Sequence, residues 1–121
     1  MNVLVDSSVW VDHLHRADST LIALLQASEV VMHSAVLGEL ACGSLTNRQT
    51  FLSLWAALPR ATEISSAEGL RLIEEHALGG RGLGWTDVLL LGSALLSGAK
   101  LWTRDRPLKR SANELGLSLT N

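Results

Sequence analysis

Short apolar runs alternate with segments of helical period along the 121 residues, and that alternation predicts the elements. Val3-Leu4-Val5 is a continuous apolar run with two β-branched members, the pattern of a strand buried on both faces. Ser8–His15 and Ser19–Ala27 read as short helices, the second with Leu21, Leu24 and Leu25 on one face. Val30–Met32 is a second strand. Ser34 caps a helix through about Ser44, with Val36, Leu37, Leu40 and Ala41 inward and Gly43 near its end. Arg48–Leu58 is amphipathic and closes at Pro59, and Ala61–Ile64 is a weak third strand. Ser65 or Ser66 opens a helix over 67–78, with Leu70, Ile73 and Ala77 on its buried stripe. Residues 79–84 hold four glycines and form the one clear loop. Thr86 caps Asp87–Ser97, apolar almost all round and therefore central, and Gly98 ends it. Leu101–Thr103 is a fourth strand, Pro107–Leu115 a short helix and Leu117–Leu119 a fifth strand.

Strands alternating with helices predict a three-layer α/β/α domain over 1–121 with a five-stranded, mostly parallel sheet. No repeat, low-complexity tract or linker divides the chain. A 47% hydrophobic content suits one core. The single cysteine, Cys42, excludes an internal disulfide framework, fits a reducing compartment and reads as a small buried residue. The start lacks the basic and apolar regions of a signal peptide, and no window has the ~18 uncharged apolar residues of a membrane span. The expectation is a soluble, cytoplasmic protein.

Four carboxylates change this picture. Asp6 ends the first strand beside hydroxyls, Ser7 and Ser8, that can cap the next helix. Glu39 lies mid-helix among small and apolar neighbours, Asp87 in the first turn of the central helix, and Asp105 two residues after the fourth strand. Each alone has an ordinary explanation as a cap or surface charge; Asp87 gains about 0.3–1 kcal/mol from a helix N-terminus. If strands one and four are neighbours where strand order reverses, Asp6 and Asp105 share the crevice in which such sheets bind ligands. Clustered carboxylates repel by about 4 kcal/mol per pair at 4 Å with an effective dielectric of 20. A hard divalent cation relieves that repulsion, and all-oxygen ligation points to Mg²⁺ or Mn²⁺. Such an ion polarises a phosphoryl oxygen, and a spare carboxylate can orient or deprotonate the attacking water.

Val3-Leu4-Val5-Asp6-Ser7-Ser8-Val9-Trp10, Gly38-Glu39-Leu40, Thr86-Asp87 and Thr103-Arg104-Asp105-Arg106, in that order and spacing, resemble the PIN-domain ribonucleases. Within them the chain resembles the VapC toxins of bacterial toxin–antitoxin pairs, over essentially its whole length. The resemblance implies an acidic pocket of Asp6, Glu39, Asp87 and Asp105, Mg²⁺- or Mn²⁺-dependent endonucleolytic cleavage of RNA, and inhibition by a VapB-like antitoxin whose C-terminal segment covers the groove. It makes Asp6 and Asp87 the direct metal ligands, with Glu39 and Asp105 completing the pocket, and Ser7 and Thr103 hydroxyls that hold a water or an acidic side chain. The chain departs from the family in Arg106-Pro107-Leu108, where an acid and an aromatic often follow, and in Gly92-Ser93, where alanines are common.

With a net charge of −2 the chain has no global attraction for RNA, so a local rim must supply it. Arg104, Arg106, Lys109 and Arg110 near Asp105, and Arg81 in the glycine loop, are the candidates. Of the four tryptophans, Trp85 beside the glycine loop is the one placed to stack on a base, and the others read as packing. The helices at Leu21–Leu25 and Phe51–Leu58 carry apolar surface suited to an antitoxin and a homodimer. His13, His15, His33 and His76 have no ligand spacing. Three other readings compete. A haloacid-dehalogenase-like enzyme wants an Asp where Ser8 stands, and a receiver-like phospho-acceptor domain wants an Asp after the third strand and a Lys after the last. A PIN-like module that binds RNA or protein without cutting has no use for four acids.

Overall fold

The computed structural model describes residues 1–119; Thr120 and Asn121, the end of the expected domain, lie outside the described residues. The strand β1 (Val3–Val5) lies between β2 (Val30–Val31) and β3 (Lys100–Trp102), and all three are parallel. Val3 stands opposite Val30 and Lys100, and Val5 opposite Trp102. Successive side chains of a strand point to opposite faces. Val3, Leu4 and Val5 are all 0% exposed, so both faces of the sheet are covered at its centre.

Among the described residues, seven helices supply the cover. They are α1 (Ser7–His15), α2 (Ser19–Gln26), α3 (Ser34–Cys42), α4 (Arg48–Ala56), α5 (Ser66–Glu75), α6 (Trp85–Ser97) and α7 (Arg106–Glu114). The chain steps one way across the sheet from β1 to β2 and returns past β1 to β3. Right-handed crossovers assign helices of opposite steps to opposite faces. The packing agrees: α3 lies against α1 and α4, whereas α6 lies against α5 and β3.

The sheet is narrower than the five strands expected. The stretch 61–64 forms no strand, and its pairing stops at one bridge between Met32 and Arg60. Pro59 has no N–H to donate, and beyond Ala61 the helix α6 takes over the backbone. Ser93 Oγ donates to the Thr62 carbonyl, and Thr62 N–H donates to Ser97 Oγ at 2.9 Å. At the other edge, 117–119 is reduced to a bridge between Leu101 and Ser118. The Leu117 N–H is spent on the Ala112 carbonyl as α7 unwinds.

Four local expectations also shift. The cap of α3 is His33, whose Nδ1 accepts from Ala35 N–H, while Ser34 turns to the Glu63 carboxylate. The cap of α6 is Gly84 rather than Thr86. The buried stripe of α5 runs through Gly69 and Leu72, leaving Leu70 and Ala77 exposed, because Gly69 admits the Trp85 ring where a β-carbon would come within 2.7 Å of it. Cys42 is exposed at the end of α3, not buried. Ala77, just beyond α5, has a φ of 51°, a conformation suited to glycine. Ala77→Gly is therefore expected to stabilise the fold by about 0.5–1 kcal/mol in urea unfolding.

Candidate active site

The acids meet where β1 and β3 end. Asp6 N–H donates to the Trp102 carbonyl at 2.9 Å, which pins the residue after β1 to the end of β3. Asp6 occupies the N-cap position of α1, yet its side chain makes no capping bond. Its Oδ2 accepts instead from Thr103 Oγ1 at 2.7 Å and Ser8 Oγ at 2.9 Å. Both hydroxyls are fixed in turn: Thr103 Oγ1 accepts from Asp105 N–H at 3.1 Å, and Ser8 Oγ from Arg104 N–H at 3.0 Å. A cap would have needed none of this. The buried Asp6 carboxylate is held for something else.

The other three acids reach the same opening. Asp6, Glu39, Asp87 and Asp105 line one shallow cleft with Ser7, Ser8, Val11, Asp12 and Arg104. Asp87 Oδ2 accepts from Gly84 N–H at 2.8 Å, holding the glycine loop against the first turn of α6. Asp105 caps α7, its Oδ2 accepting from Leu108 N–H at 3.1 Å. Glu39, exposed on α3, receives a 3.4 Å hydrogen bond on Oε1 from Ser7. Each carboxylate therefore gives one oxygen to the protein and keeps the other without a hydrogen bond among the described residues.

The charges feel one another. Burial lifts the Glu39 carboxyl above the usual glutamate range, and the charges of Asp6 and Asp87 add to it against the opposing Ser7 hydrogen bond. Burial lifts Asp87 as well; the Gly84 bond opposes, and the charges of Asp105 and Asp6 reinforce it. As placed, no three His, Cys, Asp or Glu side chains among the described residues are close enough to grip an ion. The donor set nevertheless fits a hard cation: free carboxylate oxygens only, with surroundings at Glu39 and Asp87 that disfavour the negative charge.

Sequence reasoning assigned the hydroxyl role to Ser7 and Thr103. The structure puts Thr103 and Ser8 on Asp6, and Ser7 on Glu39. Ser8 was visible two residues after the strand-end acid, at the position from which a helical side chain turns back toward the N-terminus. Among the basic candidates only Arg104 lines the cleft, and it also forms ion pairs with Asp12 at 2.6 Å and Asp18 at 2.7 Å. Arg81 pairs with Glu114 and caps the Ala77 carbonyl, away from the cleft; Arg106, Lys109 and Arg110 are exposed on α7 and do not line it. Trp85 is 43% exposed. Trp10 and Trp55 pack edge to face, with centroids 5.9 Å apart, in the floor of an apolar cavity between α1, α2 and α4.

A parallel sheet with an acidic cleft at its switch point, formed by residues from four separate elements, defines an α/β domain whose ligand site carries the donors of a hard cation. The PIN domain family model matches residues 3–114, and the chain belongs to that family. It is 47% identical over 118 residues to Ribonuclease VapC32 of Mycobacterium tuberculosis, from strains CDC 1551 / Oshkosh and ATCC 25618 / H37Rv, covering 97% of this chain and 95% of those proteins. The crystal structure of PAE2754 from Pyrobaculum aerophilum superposes with a TM-score of 0.59 at 20% identity, over 91% of this chain and 78% of that one, a likeness of fold. Within the PIN family, the chain is a VapC-type ribonuclease homologue.

Proposed function

We propose that this chain is a toxin that hydrolyses RNA phosphodiester bonds internally with Mg²⁺ or Mn²⁺, acting in the cytoplasm and restrained by a VapB-like antitoxin. The observation that carries the reading is the handling of Asp6: buried, released from capping, and aimed by two hydroxyls while one oxygen stays free. Asp6 and Asp87 would hold the cation, which when bound would neutralise charge and polarise the phosphoryl oxygen. Thr103 and Ser8 fix the Asp6 carboxylate. Glu39, whose raised proton affinity comes from partial burial beside other acids, takes the proton from the water that attacks phosphorus. Asp105 holds the fourth side of the cleft while capping α7. Arg104, tethered at the rim by Asp12 and Asp18, faces the phosphates.

The test is incubation of the purified protein with total cellular RNA, in Mg²⁺, in EDTA, and with Asp6→Ala. Discrete new 5′ ends, seen by sequencing in the Mg²⁺ arm alone, are expected. Equal cleavage by Asp6→Ala would refute the assignment.

The antitoxin surface is the apolar cavity between α1, α2 and α4, lined by Trp10, Leu14, Leu25, Phe51, Leu54 and Trp55 among others. Leu54 on its rim is 59% exposed, which suits an apolar helix face from a partner. Leu54→Glu is expected to weaken the toxin–antitoxin complex at least about tenfold, by placing an unpaired charge in the contact. Titration by calorimetry reads this, with the free toxin melting as the parent does. The same chain forms a homodimer in this reading, which sedimentation velocity tests.

A further inference from the structure

A second cavity, between α1, α3 and the turn into α4, opens beside the acidic cleft, and Val11 and Glu39 line both. Its walls are Leu14, Leu40, Leu45 and Phe51, and its mouth carries Ser44, Thr46 and His15. The side chains of those three polar residues make no hydrogen bond within the described residues. No lysine or arginine lines the cavity, and its single carboxylate is Glu39 on the shared wall. The volume is about 350 Å³, near the small end of the ~300–1,000 Å³ usual for ligand pockets. The turn is braced from behind by Arg48, whose guanidinium donates to the Gly43 carbonyl at 3.2 Å and the Ala41 carbonyl at 2.5 Å.

We infer that this cavity receives the nucleobase next to the cleaved phosphate, and that Ser44 and Thr46 set the base preference of the cut. The inference rests on the nuclease reading above and adds a specificity site to it. A phosphate does not belong there, because the one charge on the walls is negative and no cation offsets it. A neutral heterocycle does: its faces meet leucine and phenylalanine, and its edge meets hydroxyls that both donate and accept. The shared wall makes the geometry sequential along one strand. A phosphate at the four acids places the adjoining base against Val11 and into the cavity.

The experiment uses short unstructured oligoribonucleotides randomised at the positions flanking one cut site, cleaved in Mg²⁺ and sequenced. The parent is expected to show a preference at one flanking position. The double variant Ser44→Ala/Thr46→Val should reduce the ratio of kcat/KM for preferred over disfavoured bases at least fivefold. Ser44→Trp, at an exposed turn position, fills the mouth and should raise KM for RNA about tenfold without altering Mg²⁺ binding by calorimetry. Glu74→Ala, exposed on the far helix α5, should leave the ratio where it is. An unchanged preference and KM in the Ser44 and Thr46 variants would overturn the pocket while the nuclease reading stands. So would variants that lose antitoxin affinity alone, which would make the cavity part of the protein-binding groove. Absence of Mg²⁺-dependent cleavage by the parent would overturn both together.

Discussion

Asp87→Asn is expected to lose RNA cleavage by about three orders of magnitude, ~4 kcal/mol of transition-state stabilisation, if Asp87 is a cation ligand as proposed. In EDTA at neutral pH the same variant is expected to melt at a higher temperature than the parent. The amide oxygen can still accept from Gly84 N–H, so the first turn of α6 is kept. What disappears is a charge the fold disfavours. Asp87 and Glu39 bind protons more tightly when folded than their ordinary values of 3.8 and 4.5 describe. Above those values, and up to the raised folded ones, the native state holds the extra protons, so stability falls as pH rises through the window. These two carboxyls thus favour the metal-free fold on the acid side of that window, against the buried His33 imidazole, whose lowered pKa makes stability rise with pH below 6.5. Mg²⁺ restores stability where the carboxylates are ionised. Thermal melts from pH 4 to 8, with and without Mg²⁺, check this. A variant no more stable than the parent in EDTA, or a parent indifferent to Mg²⁺ at pH 7.5, contradicts it.

The second large effect concerns packing. Gly92→Ala is expected to destabilise the protein by about 1–3 kcal/mol through overpacking. A β-carbon at Gly92 would lie 2.2 Å from Ile64 Cδ1 and 3.0 Å from its Cγ1. Alanine is the better helix former by roughly 1 kcal/mol; Ile64 Cδ1 can rotate away, but its stiff β-branched Cγ1 and Cγ2, at 3.0 and 3.3 Å, give way only if the residue moves. Ile64→Val removes the nearest atom, so the double variant should recover much of the loss in urea unfolding. If Gly92→Ala alone matches or exceeds the parent, the close approach of α6 to residue 64 is wrong. The departure from the alanines common in the family thus has a local cause: in this chain Ile64 occupies the space.

The order of elements was legible because its signals are local. Val3-Leu4-Val5 is apolar on both pleats, and Asp6 breaks the run at the sheet's edge. Gly98, with a φ of 64°, ends α6 where its lack of a β-carbon permits that turn. The four acids were legible from their positions at element ends or inside apolar stretches. The strand expected at 61–64 was not, since its fate depends on Ser93 and Ser97, some thirty residues away, capturing the backbone of Thr62. That at 117–119 was not, since the Leu117 N–H goes to the Ala112 carbonyl. The rim charges escaped for a similar reason. Composition places Arg81 and Arg104 near the acids, but only coordinates show one paired with Glu114 and the other bridging Asp12 and Asp18. Ser7 meets an acidic side chain, Glu39, while Ser8, expected only as a possible cap, meets Asp6, because one helical step decides which neighbour each hydroxyl reaches.

The paired indoles of Trp10 and Trp55 make the protein its own optical probe. The chain has no tyrosine and four tryptophans, and two of these form the floor of the cavity assigned to the antitoxin. Occupancy of that cavity should shift the emission of buried indoles, with Trp85 and Trp102 as a constant background. Capture and release of the proposed antitoxin can then be timed by stopped-flow fluorescence on the unlabelled pair.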